Sequence, residues 1–369
     1  MKKFLIASII LVWGLSAHAA PSISGVSGTV SHGQSIKISG SGFGSKSTAA
    51  PAVWDDCSGT DVLDKWDVNY NADSGSSYAG AYRTPASLGR NVALPHSNIT
   101  KYFCGAHYPG TSAQAGWNVG VAKNRTVTSW PCYSYISFYN RADPSWTWSA
   151  DSTDDNYKEY DWSRDSWPYG VDNWYLEYYY RSSWHLNDDS TDGLARPISG
   201  WYQGDHWTVT SSWMKVEIEI RHDTSSSGYI KVWENGVLRV NFTGQNTWAS
   251  TGTYNELIGG FARDRSTSNW RYFADMYLDY SLQRVMIGNA STLASSTTLR
   301  EVQIPSAWSA SSITVTVNQG GFANGSTAYL YVFDDTGTAN STGYAITFGD
   351  TPSPTMSGAT CSGCSLNVP

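Results

Sequence analysis

A chain of 369 residues with a formal charge of −7 is long enough for two or three domains, each with its own core. Only 15% of the residues are charged while 14% are aromatic, with 18 Trp and 24 Tyr. The acidic balance excludes nucleic acid and anionic membrane surfaces as default partners, and the Gly-, Ser- and Thr-rich remainder favours strands and turns over helices.

The chain opens with the pattern of a secretory signal. Lys2 and Lys3 form a basic start, residues 4–13 an apolar run, and Ala17-His18-Ala19 a small-x-small cleavage site. The apolar run is too short to span a bilayer, and no later stretch is long and apolar enough. The expectation is a signal peptide over 1–19 and a mature chain that is secreted, periplasmic or at the cell surface. An uncleaved anchor is the competing reading. Loss of Lys2 and Lys3 takes the formal charge from −7 to −9.

Next come Pro21-Ser-Ile-Ser-Gly-Val26 and the alternating Ser35-Ile-Lys-Ile-Ser39, followed by Gly40-Ser-Gly-Phe-Gly44. These segments resemble the opening strands of an IPT/TIG-type immunoglobulin-like domain. About 30 residues are too few for such a sandwich. Segments resembling that family's later strands lie at the far end: Trp308-Ser-Ala-Ser-Ser-Ile-Thr-Val-Thr-Val317, Ala328 onward to Gly337, and residues 343–349. The reading is one discontinuous immunoglobulin-like domain, residues 20–50 plus 293–350, with residues 51–292 inserted between its strands and a tail over 351–369. Insertion at a surface loop is tolerated when the inserted unit's ends lie close together. The alternative is an N-terminal strand added to the main sandwich plus a separate C-terminal β module.

The inserted segment carries many strand signals and no convincing amphipathic helix. Residues 174–181 are aromatic and extended. Met214, Val216, Ile218 and Ile220 alternate with Lys215, Glu217, Glu219 and Arg221, which reads as a strand with one buried and one solvated face. Residues 229–233 and 237–242 flank Asn235-Gly236, the strongest short hairpin signal. Further strands are expected at 273–278, 283–287, 313–317, 329–333 and 344–348. The fold class is therefore all-β: a large jelly-roll sandwich plus a small immunoglobulin-like one. Residues 213–242, with Trp213 opening a strand and the Trp233…Asn235-Gly236 hairpin, are similar to concanavalin A-like lectin and glucanase domains, including laminin-G-like modules and some polysaccharide lyases. The resemblance implies the jelly roll and is nearly silent on activity.

Five cysteines, Cys57, Cys104, Cys132, Cys361 and Cys364, are compatible with disulfides in an exported chain. Cys104 with Cys132 is the favoured pair, Cys361-Ser-Gly-Cys364 reads as a local loop, and Cys57 is left over.

Four chemistries can be weighed. Glycosidases of this fold in the laminarinase class carry Glu-x-Asp-x-x-Glu on one strand. The nearest match, Glu217-Ile-Glu219-Ile-Arg221-His222, has His where the last Glu should stand, so the acid pair is incomplete. Lyases of this fold abstract a proton beside a uronate carboxylate that a cation neutralises. Tyr179 or His185 would be the base and Arg181 the neutraliser. Residues 141–192 hold twelve acids against four bases, net −8, which repels a polyuronate unless calcium screens it.

Sugar binding without chemistry needs rings for pyranose faces and polar groups for hydroxyls. Trp162, Trp167, Tyr175, Glu177 and Trp184 are the candidate ligand-binding residues. Asp188, Ser190 and Asp192 form the start of a calcium loop, D-x-S-x-D-G, without the closing Glu of an EF-hand. Calcium is thus the one cofactor the sequence suggests. The leading expectation is a secreted polysaccharide-binding protein with an aromatic, acidic face. The alternatives are a polysaccharide lyase and a non-catalytic structural or adhesive surface protein.

Overall fold

The computed structural model describes residues 19–70, 80–88, 92–107, 118–144, 156–164, 173–179, 183–188, 200–201, 211–245, 247, 251–261 and 269–349. The signal-like residues 1–18, the tail with Cys361 and Cys364, and Trp167, Arg181, Ser190 and Asp192 lie outside the described residues. Among those described there is no α-helix, only strands and short 3₁₀ turns, and no helix long and apolar enough to cross a membrane. The protein is all-β.

Its strands form two sandwiches. The larger stacks an eight-stranded sheet on a seven-stranded one. The first runs Val237–Gln245, Gly228–Glu234, Met214–His222, Cys132–Ala142, Asn269–Asp279, Tyr102–His107, Ala81–Arg83, with Val53–Asp55 pairing beside Asn269–Asp279. The second runs Gly200–Trp201, Ser183–Asp188, Asn173–Tyr179, Asn156–Arg164, Gly252–Phe261, Asn118–Val127, Val68–Tyr70. Alternate residues from both sheets fill the space between them: Ile136, Phe138, Val216, Ile218, Ile220 and Phe273 from one, Val119, Val121, Tyr160, Trp162, Tyr254 and Ile258 from the other. The hairpin at Asn235-Gly236 forms as its sequence dictates. Both residues have positive φ, 48° and 78°, which a two-residue turn needs to match the strand twist. A Cβ on Gly236 would meet the Ser296 carbonyl oxygen at 2.3 Å, so the turn tip also lies hard against the neighbouring sandwich.

The smaller sandwich is assembled from both ends of the described chain. Ser22–Ser27 pairs with Ser35–Ser41, which pairs with Ser312–Thr316 and then Ile304–Trp308. The facing sheet runs Arg300–Val302, Val285–Gly288, Thr327–Val332, Tyr344–Thr347. Val26, Ile36, Ile38, Phe43, Ile313, Val315, Leu330 and Phe348 close its core. The return segment of this sandwich starts at Val285, earlier than the boundary at 293 drawn from sequence, because Val285–Gly288 pairs with Thr327–Val332.

Two expectations are corrected by the packing. The Lys215, Glu217, Glu219 face is not solvated: these residues are 3%, 1% and 3% exposed. The small sandwich lies on it and supplies the counter-charges. Lys215 Nζ sits 3.0 Å from Glu301 Oε2, Arg284 Nη2 2.9 Å from Glu219 Oε2, and Arg300 Nε 3.4 Å from Glu217 Oε1. Tyr135, Tyr277, Met286, Val302, Tyr331 and Phe333 form the apolar part of the junction, with the Arg284 guanidinium 3.9 Å from the Tyr135 ring centre and 3.7 Å from that of Phe333. The incomplete glycosidase motif is therefore closed off from any substrate.

The second correction concerns Cys104 and Cys132. Cys132 stands opposite His222 at one end of Cys132–Ala142, whereas Cys104 is opposite Tyr272, itself opposite Arg141 near the other end. At about 3.3 Å per residue that separation is roughly 30 Å, far beyond disulfide reach.

Candidate functional site

The seven-stranded sheet has one face in the core and one face turned away from it, and strand register decides which residues share each. Tyr160 and Trp162 are core residues of Asn156–Arg164. Trp162 is fully buried, its ring 3.9 Å from that of His222 and 4.9 Å from that of Tyr254. It is a core ring and not the solvent-facing platform expected from sequence. Burial holds the His222 imidazole well below its ordinary pKa, and hence neutral against Trp162.

Alternation then fixes the other face. Asp161 lies between Tyr160 and Trp162 and pairs with Leu257, which pairs with Ala122. Leu257, Ala122 and Val68 form a small apolar cluster of their own, separate from the main core. Tyr175 pairs with Asp161 on one side and Asn187 on the other, so all three belong to the outward face. Two residues along, Lys158, Glu177, His185 and Trp201 stand in one row across four neighbouring strands. Tyr179, opposite Ser183, comes next on the same face. With strands about 4.8 Å apart, such a row is about 14 Å across.

Four of the residues singled out from sequence are thus brought together: Tyr175, Glu177, Tyr179 and His185. Trp184 is not among them. It pairs with Tyr178 and falls on the face shared with Trp162, as does Asp188, which pairs with Trp174. The physical reason is the period of two: neighbours in sequence take opposite faces. Trp167, Arg181, Ser190 and Asp192 lie outside the described residues. Among the described residues no group of three or more His, Cys, Asp or Glu is arranged to hold a metal ion. Sequence reasoning did not single out Asn187, Trp201 or Lys158. Asn187 could have been found by alternation from His185. Trp201 sits on a two-residue strand with no periodic signal at all.

A bulge underlies the row. The pairing of Asn173–Tyr179 with Asn156–Arg164 slips between Leu176 and Glu177, so that Tyr160 and Lys158 are both paired and Glu159 is the extra residue. Glu159 is buried between the sheets, where Arg271 Nη2 donates to its Oε2 at 3.0 Å and Asn140 Nδ2 donates to Oε1. Arg271 Nη1 also donates to the Lys158 carbonyl at 2.7 Å, clamping the backbone at the bulge. Burial pushes the Glu159 carboxyl up to about 8 against the pull of Arg271. Farther along the sheet, Glu256 accepts from Arg125 and Tyr160 at 3.1 Å each, and burial raises its pKa too. The outward row therefore rests on a polar, fully packed floor.

Fold and register together define the molecule as a two-sandwich β protein whose seven-stranded sheet carries aromatic and polar residues on the face turned away from the core. No family model matches the chain, and no curated protein matches it. Similar solved structures include the endo-β-1,4-glucuronan lyase of the fungus Trichoderma reesei, with TM-score 0.44 and 10% identity over 60% of this chain and 94% of that one. They also include the alginate lyase Aly36B, with TM-score 0.33 and 13% identity over 57% and 95%. A third is the ligand-binding domain of botulinum neurotoxin serotype D in complex with N-acetylneuraminic acid, with TM-score 0.31 and 14% identity over 70% and 66%. At such values no site residue transfers from those proteins to this chain.

Proposed function

We propose that the outward face of the seven-stranded sheet binds a polysaccharide, outside the cytoplasm, without transforming it. The observation that supports this most is the register that sets Trp201, His185 and Glu177 in one row beside Tyr175, Tyr179 and Asn187. Aromatic rings fit the apolar faces of pyranoses, and imidazole, amide and carboxylate groups fit their hydroxyls. A row of this kind suits an extended polymer laid across the strands better than a small molecule held in a closed pocket.

The same face keeps an elimination reading alive, because Tyr179 and His185 stand two rungs apart, on the same face of one ladder. In that case Arg181 would neutralise the uronate carboxylate while Tyr179 or His185 takes the neighbouring proton, leaving an unsaturated product. A panel of neutral glycans and polyuronates, read for both binding and new ultraviolet absorbance, tests both. Binding without absorbance, lost in Trp201→Ala, is the expected result. New absorbance that disappears in Tyr179→Phe or His185→Ala replaces binding alone with elimination. No binding to any glycan ends both and leaves the structural or adhesive alternative.

A further inference from the structure

The chain crosses between the two sandwiches twice, outward after Gly44 and back after Asp279, and the two crossings enclose a cleft of about 690 Å³. None of its lining residues belongs to the seven-stranded sheet. One wall is the outgoing segment, from Ser45 to Ala52; the other is the returning one, from Asp279 to Gln283. Tyr133 and Asp335 complete it. The volume is in the range of small-molecule pockets.

The walls are held in advance of any ligand. Lys46 Nζ is 2.5 Å from Asp279 Oδ2, donates to the Ala49 carbonyl at 3.2 Å, and sits 5.4 Å from the Trp308 ring centre. Tyr277 OH donates to the same Asp279 oxygen at 3.0 Å. Gln283 Nε2 and Trp308 Nε1 both donate to the Phe43 carbonyl, at 2.9 and 3.2 Å. This lattice fixes the outgoing segment to the returning one and to the small sandwich.

The lining chemistry selects a ligand class. Lys46 and Asp279 neutralise each other and are almost fully buried, so the exposed charge left on the lining is the single carboxylate of Asp335. That repels an anion. Ser45, Ser47 and Thr48 are exposed and offer hydroxyls, which an apolar ligand would strand. Tyr133 and Tyr280 are half-buried rings on the same cleft. Stacking rings, several hydroxyls and one carboxylate acceptor are the partners of an uncharged sugar ring. We infer that the junction cleft is a second saccharide site, taking a neutral pyranose unit and excluding uronates. It is independent of the sheet face.

The full chain is titrated by calorimetry and ligand-observed NMR with the neutral hexasaccharides of β-1,4-glucose, β-1,3-glucose and β-1,4-mannose, and with hexaguluronate as the charged arm. Three variants go with it: Thr48→Trp, an exposed position where the indole fills the cleft, Tyr133→Ala, and Trp201→Ala on the sheet face. At least one neutral hexasaccharide binds, and Thr48→Trp weakens that binding at least about tenfold, as loss of a stacked, enclosed ring site should. Tyr133→Ala does the same, and in the Trp201→Ala background, where the sheet face no longer contributes, the binding that remains is still lost on adding Thr48→Trp. The inference is overturned if no neutral hexasaccharide binds at about 10 mM, a Kd too weak for any stacked site. It is equally overturned if Thr48→Trp has no effect on the bound sugar, or if hexaguluronate binding is the binding that Thr48→Trp removes. Binding lost in Trp201→Ala alone reports the sheet face and also counts against the cleft.

Discussion

The large sandwich presents two faces away from its core, and they carry polar residues for opposite reasons. On the eight-stranded sheet, Lys215, Glu217 and Glu219 are covered by the small sandwich and paired with Glu301, Arg300 and Arg284. On the seven-stranded sheet, Glu177, His185 and Trp201 share a row on the face turned away from the core. Charge on a strand thus has two meanings. In the first case it is a docking code between two parts of one chain, where each ion was taken out of water and must keep its partner. In the second it is the surface we propose for recognition.

The comparison is broken first at Trp162. As a core ring between His222 and Tyr254, its replacement by Ala should cost about 3–5 kcal/mol of unfolding free energy. A variant that unfolds at the parental denaturant midpoint but loses glycan binding would restore Trp162 to the ligand face. The next largest effect is expected at the junction. Arg284→Met leaves Glu219 buried without its guanidinium partner and should destabilise by about 3 kcal/mol, while Arg284→Met with Glu219→Leu recovers most of the loss. If the single variant is neutral in urea unfolding, the two sandwiches are not docked through these charges. Trp201→Ala should leave the midpoint within about 0.5 kcal/mol of the parent while weakening glycan binding about tenfold, since under the proposed function its ring meets the ligand and not the core.

How much of this was legible in the sequence follows the same division. The strand Met214–His222, its hairpin partners and the Asn235-Gly236 turn were readable because alternation and turn chemistry are local. What covered the polar side of that strand was not readable, since alternation reports polarity and not the neighbour. Cys132–Ala142, the strand at the centre of the sheet, gave no alternating signal because it is buried on both faces. At the candidate site, Tyr175, Glu177, Tyr179 and His185 could be placed on one face by counting. Trp162 was misassigned because composition marks a cluster of rings, while only register against a core residue says which of them face inward. Trp201 needed the ladder itself, being joined to His185 by pairing across 16 positions of chain.

The remaining expected effect is the most specific to the sheet face, because it concerns the bulge that sets the row. Glu159 has an ordinary carboxyl value of 4.5 and is raised by burial to about 8 in the folded protein. Between those two values the folded state holds a proton that the unfolded state has released. Stability from this group is therefore fully present below about 4.5 and lost as pH rises through about 8. Glu159→Gln keeps an oxygen for Arg271 and Asn140 but cannot titrate, so it should remove that part of the slope. Chemical unfolding of parent and variant at pH 5 and pH 8.5 gives the comparison directly: the parent should lose more stability than the Glu159→Gln variant does over that interval. Parallel behaviour would mean that Glu159 is not protonated in the fold. The Lys158 backbone, held by Arg271, would then be pinned by an ion pair and not by a neutral acid, and the row of Lys158, Glu177, His185 and Trp201 would rest on a charged floor.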